Sequence, residues 1–100
     1  MAREVTWTES ASDDLAEIAS YISKDSEFYA ATVVRELIVA ARSLTILSER
    51  GRMVREYREP TIRQLLVRDY RLVYQVTDSF IHVLRVIHGA RMLRGRNPNP

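Results

Sequence analysis

The chain has no cysteine, which excludes a disulfide framework, a thiolate metal site and a cysteine nucleophile. It has one lysine, Lys24, so any cationic chemistry elsewhere must come from arginine or histidine. The longest purely apolar run, Leu37 to Ala41, falls far short of the roughly 17–25 residues of a membrane span. The opening residues MAREVTWTES have no apolar core of the signal-peptide kind. Internal repeats and low-complexity segments are absent as well. These absences leave a cytoplasmic protein with no membrane segment as the default expectation.

What is present is the material of one domain. A chain of 100 residues with 46% apolar and 28% charged side chains can bury roughly 65% of the surface it exposes when unfolded. The charge is divided unevenly. Residues 1–50 hold five basic and nine acidic side chains, net −4, and residues 51–100 hold ten basic and four acidic ones, net +6. Fourteen of the fifteen basic residues are arginine, whose planar fork pairs two-pronged with carboxylate or phosphate. The C-terminal half therefore faces something anionic, either nucleic acid or an acidic protein.

The hydrophobic period changes once, near Gly51. Val5 and Trp7 alternate with polar neighbours, a short strand over Arg3–Thr8. Thr8 or Ser10 caps a helix whose apolar stripe is Ala11, Leu15, Ile18 and Ile22. Lys24-Asp25-Ser26 breaks it. Ser26 caps a second helix with the stripe Ala30, Val34, Leu37 or Ile38, Ala41, Leu44 and Leu47, stopped by Gly51. So short a link makes the two helices an antiparallel hairpin. Beyond Gly51 the period is two, and four strands are expected: Met53–Tyr57, Ile62–Val67, Arg71–Thr77 and Phe80–His88. Their short links make an antiparallel meander. FIHVLRVIH is apolar on both faces, as a central strand would be. RGRNPNP has no apolar anchor, so 93–100 is expected to be a flexible tail after a domain spanning 1–92. The fold class is α+β: an N-terminal strand, a helical hairpin and a four-stranded antiparallel meander.

Two strings in this layout are distinctive: IRQLLVRDYRLVYQV with its DYRLVYQV core, and the closing VIHGAR. With Trp7 on the opening strand, the helix TESASDDLAEIASYI and the Gly51-Arg52 step, they make the chain from Val5 to about Met92 resemble the RelE/ParE superfamily, the toxins of bacterial type II toxin–antitoxin pairs. The resemblance is closer to the ParE-like branch. It implies a toxin that inhibits DNA gyrase and is neutralised by a ParD-like antitoxin, which has a ribbon-helix-helix DNA-binding head and an acidic, initially disordered tail. The alternative it carries is a RelE-like endonuclease that cleaves messenger RNA on the ribosome.

Cleaving RNA through its own 2′-hydroxyl needs a proton acceptor, charge stabilisation at the phosphorus and a proton donor. Arg71 and Arg91 match the arginines that do the electrostatic part in RelE-like enzymes. The lysines those enzymes carry on the preceding strand, and their tyrosine a few residues after the last arginine, have no counterpart here. His88 is the one replacement proton donor at the right end of the chain, though its place beside Gly89 better suits a structural role, its ring fixing the turn into the tail. If the protein is a nuclease, its catalytic set is Arg71, Arg91 and His88. Otherwise Arg52, Arg63, Arg71 and Arg91 are the target-binding candidates.

His82 reads as a hydrogen-bonded core histidine, and Tyr57, Tyr70 and Tyr74 as packing groups. Two histidines without a carboxylate cluster make no metal site, and no cofactor is expected. Arg85, set among Ile81, Val83 and Ile87, needs a carboxylate partner in this chain or in the antitoxin. A helical hairpin covers one sheet face, so Leu66 and Val73, with Arg85, are the antitoxin-binding candidates on the other. An antitoxin tail would bury apolar groups there and set its acidic residues against the arginines.

Overall fold

Thr8 ends one element and starts the next. In the computed structural model, which describes residues 2–89, strand β1 (Glu4–Trp7) gives way there to helix α1 (Glu9–Ser23). The Thr8 hydroxyl accepts from the Ala11 N–H at 3.0 Å and donates to the Leu84 carbonyl at 3.0 Å. One side chain thus caps the helix and fastens it to the last strand. Lys24–Ser26 is the whole link to α2 (Glu27–Ser43), and the Ser26 hydroxyl accepts from the Tyr29 N–H. Along α2 the buried ridge is Ala30, Val33, Leu37 and Ala41, continued by Leu44. Val33 replaces the expected Val34. Adjacent apolar pairs such as Val33-Val34 and Leu37-Ile38 are ambiguous at helical spacing, and only one of each can point straight inward. Leu47 is exposed.

The sheet is completed by β2 (Arg52–Met53), β3 (Ile62–Val67), β4 (Tyr70–Val76) and β5 (Phe80–His88), in the order β1-β5-β4-β3-β2. The meander from β2 to β5 is antiparallel, as its short links require. The opening strand joins it parallel to β5, so the sheet is mixed and β5 is internal. That placement explains a last strand that is apolar on both faces.

The strand expected over Met53–Tyr57 shortens to two residues. Val54 and Tyr57 both turn into the same cluster, three positions apart, and the Tyr57 N–H reaches the Val54 carbonyl at 3.3 Å. A turn satisfies that spacing and an extended strand does not. Arg58 completes it with a left-handed φ of 52°.

Two clusters sit on opposite faces of the sheet. Ala11, Val33, Leu37, Ala41 and Leu44 of the helical layer pack on Leu72, Tyr74, Ile81, Val83 and Val86. Each large side chain there contributes about 1.5–3 kcal/mol by burial. On the far face Val54, Ile62, Val73, Leu84 and Ile87 close together beneath Tyr57. Simple alternation would put His82, Leu84 and Val86 on one face. The structure separates them because β5 carries a bulge: Tyr74 lies opposite Val83 and Val73 opposite Arg85, leaving Leu84 as the extra residue. His82 is half-buried on the far face, hydrogen-bonded to the Thr6 hydroxyl at 2.6 Å and stacked on Phe80.

Candidate functional site

Register decides which arginines can act together. Arg71 pairs with Leu66 on one side and Ile87 on the other, so it projects from the sheet face away from the helices. Its side chain is nearly buried. The Nε donates to Gln64 Oε1 at 2.6 Å, and Nη1 and Nη2 donate to the two carboxylate oxygens of Glu56, both at 3.0 Å. The Arg71 and Glu56 side chains are only 9% and 17% exposed, a two-pronged pair shielded from solvent. Glu56 comes from the turn that replaces the expected strand.

The remaining candidates scatter. Arg52, exposed on β2, lies opposite Gln64 and shares the Arg71 face. Arg63 lies opposite Tyr74, on the helix side. It donates to the Gly51 carbonyl at 2.9 Å and stands 3.6 Å from Glu49. His88 is exposed at the end of β5 opposite Tyr70, whose ring meets it edge-on with centroids 6.0 Å apart. It lines a cleft of about 400 Å³ with Asp14, Glu17, Tyr21 and Tyr70. That cleft is on the α1 side, so His88 and Arg71 project from opposite faces of the sheet. Arg91, the domain limit at 92 and the tail 93–100 lie outside the described residues.

The antitoxin candidates also part company. Leu66 is 68% exposed, whereas Val73 is 0% exposed, sealed by Val54, Ile62 and Tyr57 of its own chain. The second sheet face is therefore partly covered by the 54–57 turn, where the sequence had suggested it was open. Arg85 has its carboxylate within the chain. Asp14 of α1 accepts from Arg85 Nε at 2.7 Å and Nη2 at 3.1 Å, and from the Val86 backbone N–H at 2.9 Å. Asp14 thus serves the stretch of β5 beyond the end of β1. Its hydrogen bond to Arg85 is the main reason the guanidinium is held more firmly protonated than usual.

Sequence reasoning missed Asp14, Glu56 and Gln64. The signal for Asp14 was only its place near a helix start, and nothing local ties Glu56 to an arginine fifteen residues on.

Other surfaces are shaped for contact. Leu66 and Leu65 line a groove of about 340 Å³ against α2, with Val39, Arg35 and Arg50. A wider groove of about 520 Å³ runs between the helices over Trp7, Leu15, Val34 and Ile38. At the β3–β4 turn Arg68 takes a left-handed φ of 53°. Two hydrogen bonds to Glu36, at 2.7 and 2.8 Å, hold it over the Tyr29 ring, and the Arg68 bond keeps the Glu36 carboxyl below its ordinary range. Among the described residues no group of histidine and carboxylate side chains could hold a metal, and no helix is long and apolar enough to cross a membrane.

An opening strand, a helical hairpin and an arginine-bearing meander define a RelE/ParE-type toxin fold. A family model described as the ParE toxin of the type II toxin–antitoxin system parDE matches residues 5–93, and the chain belongs to that family. It is 37% identical over 90 residues to a protein of Caulobacter vibrioides named Toxin RelE2, covering 89% of this chain and 98% of that one. Among solved structures it resembles the chromosomal ParDE system of P. aeruginosa. There the TM-score is 0.71 and the identity 21%, covering 87% of this chain and 96% of that one. It also resembles the RelBE2 toxin–antitoxin complex of Mycobacterium tuberculosis, with TM-score 0.66 and 24% identity over 91% of this chain and 95% of that one. At these identities the two structures speak for the fold.

Proposed function

We propose that the chain acts as a ParE-like toxin, a binding inhibitor of DNA gyrase with no bond-making chemistry of its own, neutralised by a ParD-like antitoxin. The observation that carries this reading is the division of the nuclease set. A phosphate held by Arg71 would lie on one side of the sheet and the His88 ring on the other. General acid catalysis needs the donor within hydrogen-bond reach of the leaving oxygen, and projection from opposite faces argues against these two residues serving one phosphate. Family membership agrees with the reading.

The antitoxin is argued from the family, and the two structures of like fold, a ParDE system and a RelBE2 complex, agree with it. On this chain the groove beside Leu66 suits it. Val39 and Leu65 offer apolar surface, with Leu66 exposed on the opposite face at the rim, and Arg35 and Arg50 offer positive charge to an acidic tail beside the Glu36 that Arg68 neutralises.

The RelE-like reading is favoured by one observation, the name of the 37% identical relative. It would need Arg71 to exchange Glu56 for a phosphate, with a proton donor other than His88. A supercoiling assay with purified gyrase and a ribosome-programmed RNA cleavage assay, run side by side, separate the two. The expected outcome is lost supercoiling with intact RNA. Cleaved RNA with normal supercoiling would overturn the proposal.

A further inference from the structure

Strand β5 outruns its neighbour β1, which ends at Trp7 opposite Val83. Beyond that point no strand among the described residues lies beside its edge. Val67 and Tyr70 close the two-residue turn between β3 and β4, so Tyr70 and Leu72 direct their backbone groups to β3. Arg71 and Val73 direct theirs to β5, where Ile87 and Arg85 lie opposite. Val86, between those two, therefore turns its N–H and C=O to the open edge. Asp14 accepts from the N–H at 2.9 Å. The C=O has no hydrogen-bond partner among the described residues, although Val86 is only 2% exposed. A sheltered acceptor of this kind calls for a donor.

The cleft of about 400 Å³ runs along this edge, within the size range of small-ligand sites. Val86 lines it together with Asp14, Glu17, Tyr21 and Tyr70. The charge of Asp14 is already met, because Arg85 donates to both of its oxygens. Glu17, one turn further along α1, is exposed and acts on Arg85 through space. Among the described residues it forms no hydrogen bond or ion pair. Tyr21 is exposed and Tyr70 half-buried, so their rings are open to a cation. An anion would meet Glu17 here, and an apolar group would leave the Val86 carbonyl unmet. A flat cation rich in N–H donors satisfies all four groups.

We propose that the cleft between α1 and the free edge of β5 is a binding site for a guanidinium group. Glu17 and the Val86 carbonyl accept its N–H bonds, and Tyr21 and Tyr70 flank it. A guanidinium suits the cleft better than an ammonium, since its planar fork reaches two acceptors at once and lies flat on a ring. A free alkylguanidinium and an arginine side chain of a partner protein share this chemistry. The site does not depend on gyrase being the target, and the supercoiling assay tests that separately.

The test titrates propylguanidinium chloride, and separately a capped tripeptide with a central arginine, into the full chain. Backbone amide resonances of residues 14–21 and 86–88 are followed by NMR. Saturable shifts are expected at Glu17 and Ile87, with a Kd on the order of millimolar for so small a ligand. Propylurea, of like shape without the charge, should give none. Glu17→Gln should weaken binding about fivefold, the upper range for an exposed ion pair. Tyr21→Leu should weaken it about two- to fivefold through the lost ring. Asp78→Asn removes the same charge in the turn at the other end of β5 and should change nothing. Tighter binding of the tripeptide than of propylguanidinium assigns the site to a partner's arginine, and equal binding assigns it to a free cation. No saturable shift, equal shifts with propylurea, or equal losses in Glu17→Gln and Asp78→Asn would overturn the proposal.

Discussion

At the scale of single residues, Gly51 and Tyr74 hold the basic half to the helical half. The Gly51 N–H donates to the Tyr74 hydroxyl at 2.9 Å, and that hydroxyl donates to the Ser48 carbonyl at 2.9 Å. A Cβ on Gly51 would sit 2.5 Å from the Gln64 carbonyl oxygen and 2.6 Å from the Tyr74 hydroxyl. The sequence reading took Gly51 as a helix stop, but α2 ends at Ser43 and the glycine is needed for close approach instead. Gly51→Ala should therefore destabilise the fold by about 1–3 kcal/mol in urea titration, the range for overpacking. Tyr74→Phe leaves a buried N–H and C=O short of a partner, and should cost about 1–3 kcal/mol at neutral pH. Burial pushes the Tyr74 phenol above its ordinary value of 10.0. Its stabilisation is thus fully present below pH 10 and is lost as pH rises through the higher folded value. Melting temperature against pH should fall less steeply above pH 10 in Tyr74→Phe than in the unaltered protein.

At the scale of elements, the helices and three of the meander strands were legible because each carries a clean period and a capping or turn residue at its end. Thr8, Ser26 and the stripe from Ala11 to Ile22 needed no tertiary knowledge. The failures have physical causes of the same order. At period two Met53 and Tyr57 share a face, whereas at a turn's spacing of three Val54 and Tyr57 do, and only the sheet's open face decides between the two readings. The bulge at Leu84 carries no local mark in an apolar strand, yet it reassigns every side chain after it, including Val86 and Arg85. Parallel pairing of β1 with β5 joins segments about 75 residues apart, beyond the reach of any local pattern. Thr8→Ala tests the joint between these elements. It removes the α1 cap together with the bond to the Leu84 carbonyl, and should cost about 1–2 kcal/mol, the upper part of the range for a cap. Amide exchange should quicken at the start of α1 and at residues 84–86 together. Faster exchange in α1 alone would show that the strand does not depend on the cap.

For the whole molecule, the charge asymmetry of the sequence resolves into three uses. Asp14–Arg85 and Glu36–Arg68 tie the acidic helices to the basic sheet. Glu56–Arg71 closes the far face. Arg35 and Arg50 at the groove against α2, and Arg52 exposed on β2, are the positions the proposed partners would use. The candidate site was readable from the sequence as a list of arginines, but not as a geometry. Burial of Val73, internal pairing of Arg85 and the opposite facing of Arg71 and His88 all depend on register. Of the antitoxin candidates Leu66 is the exposed one. Leu66→Asp should weaken antitoxin binding at least tenfold, from lost apolar contact and repulsion of an acidic tail, with little change in melting temperature. Unchanged affinity in calorimetry would move the antitoxin elsewhere. The central claim is that this chain stops DNA gyrase and leaves RNA intact. The most direct test is to induce the chain without its antitoxin and follow DNA and protein synthesis over the first minutes. The account predicts an early fall in DNA synthesis while translation continues. An early fall in translation, with DNA synthesis sustained, would contradict it.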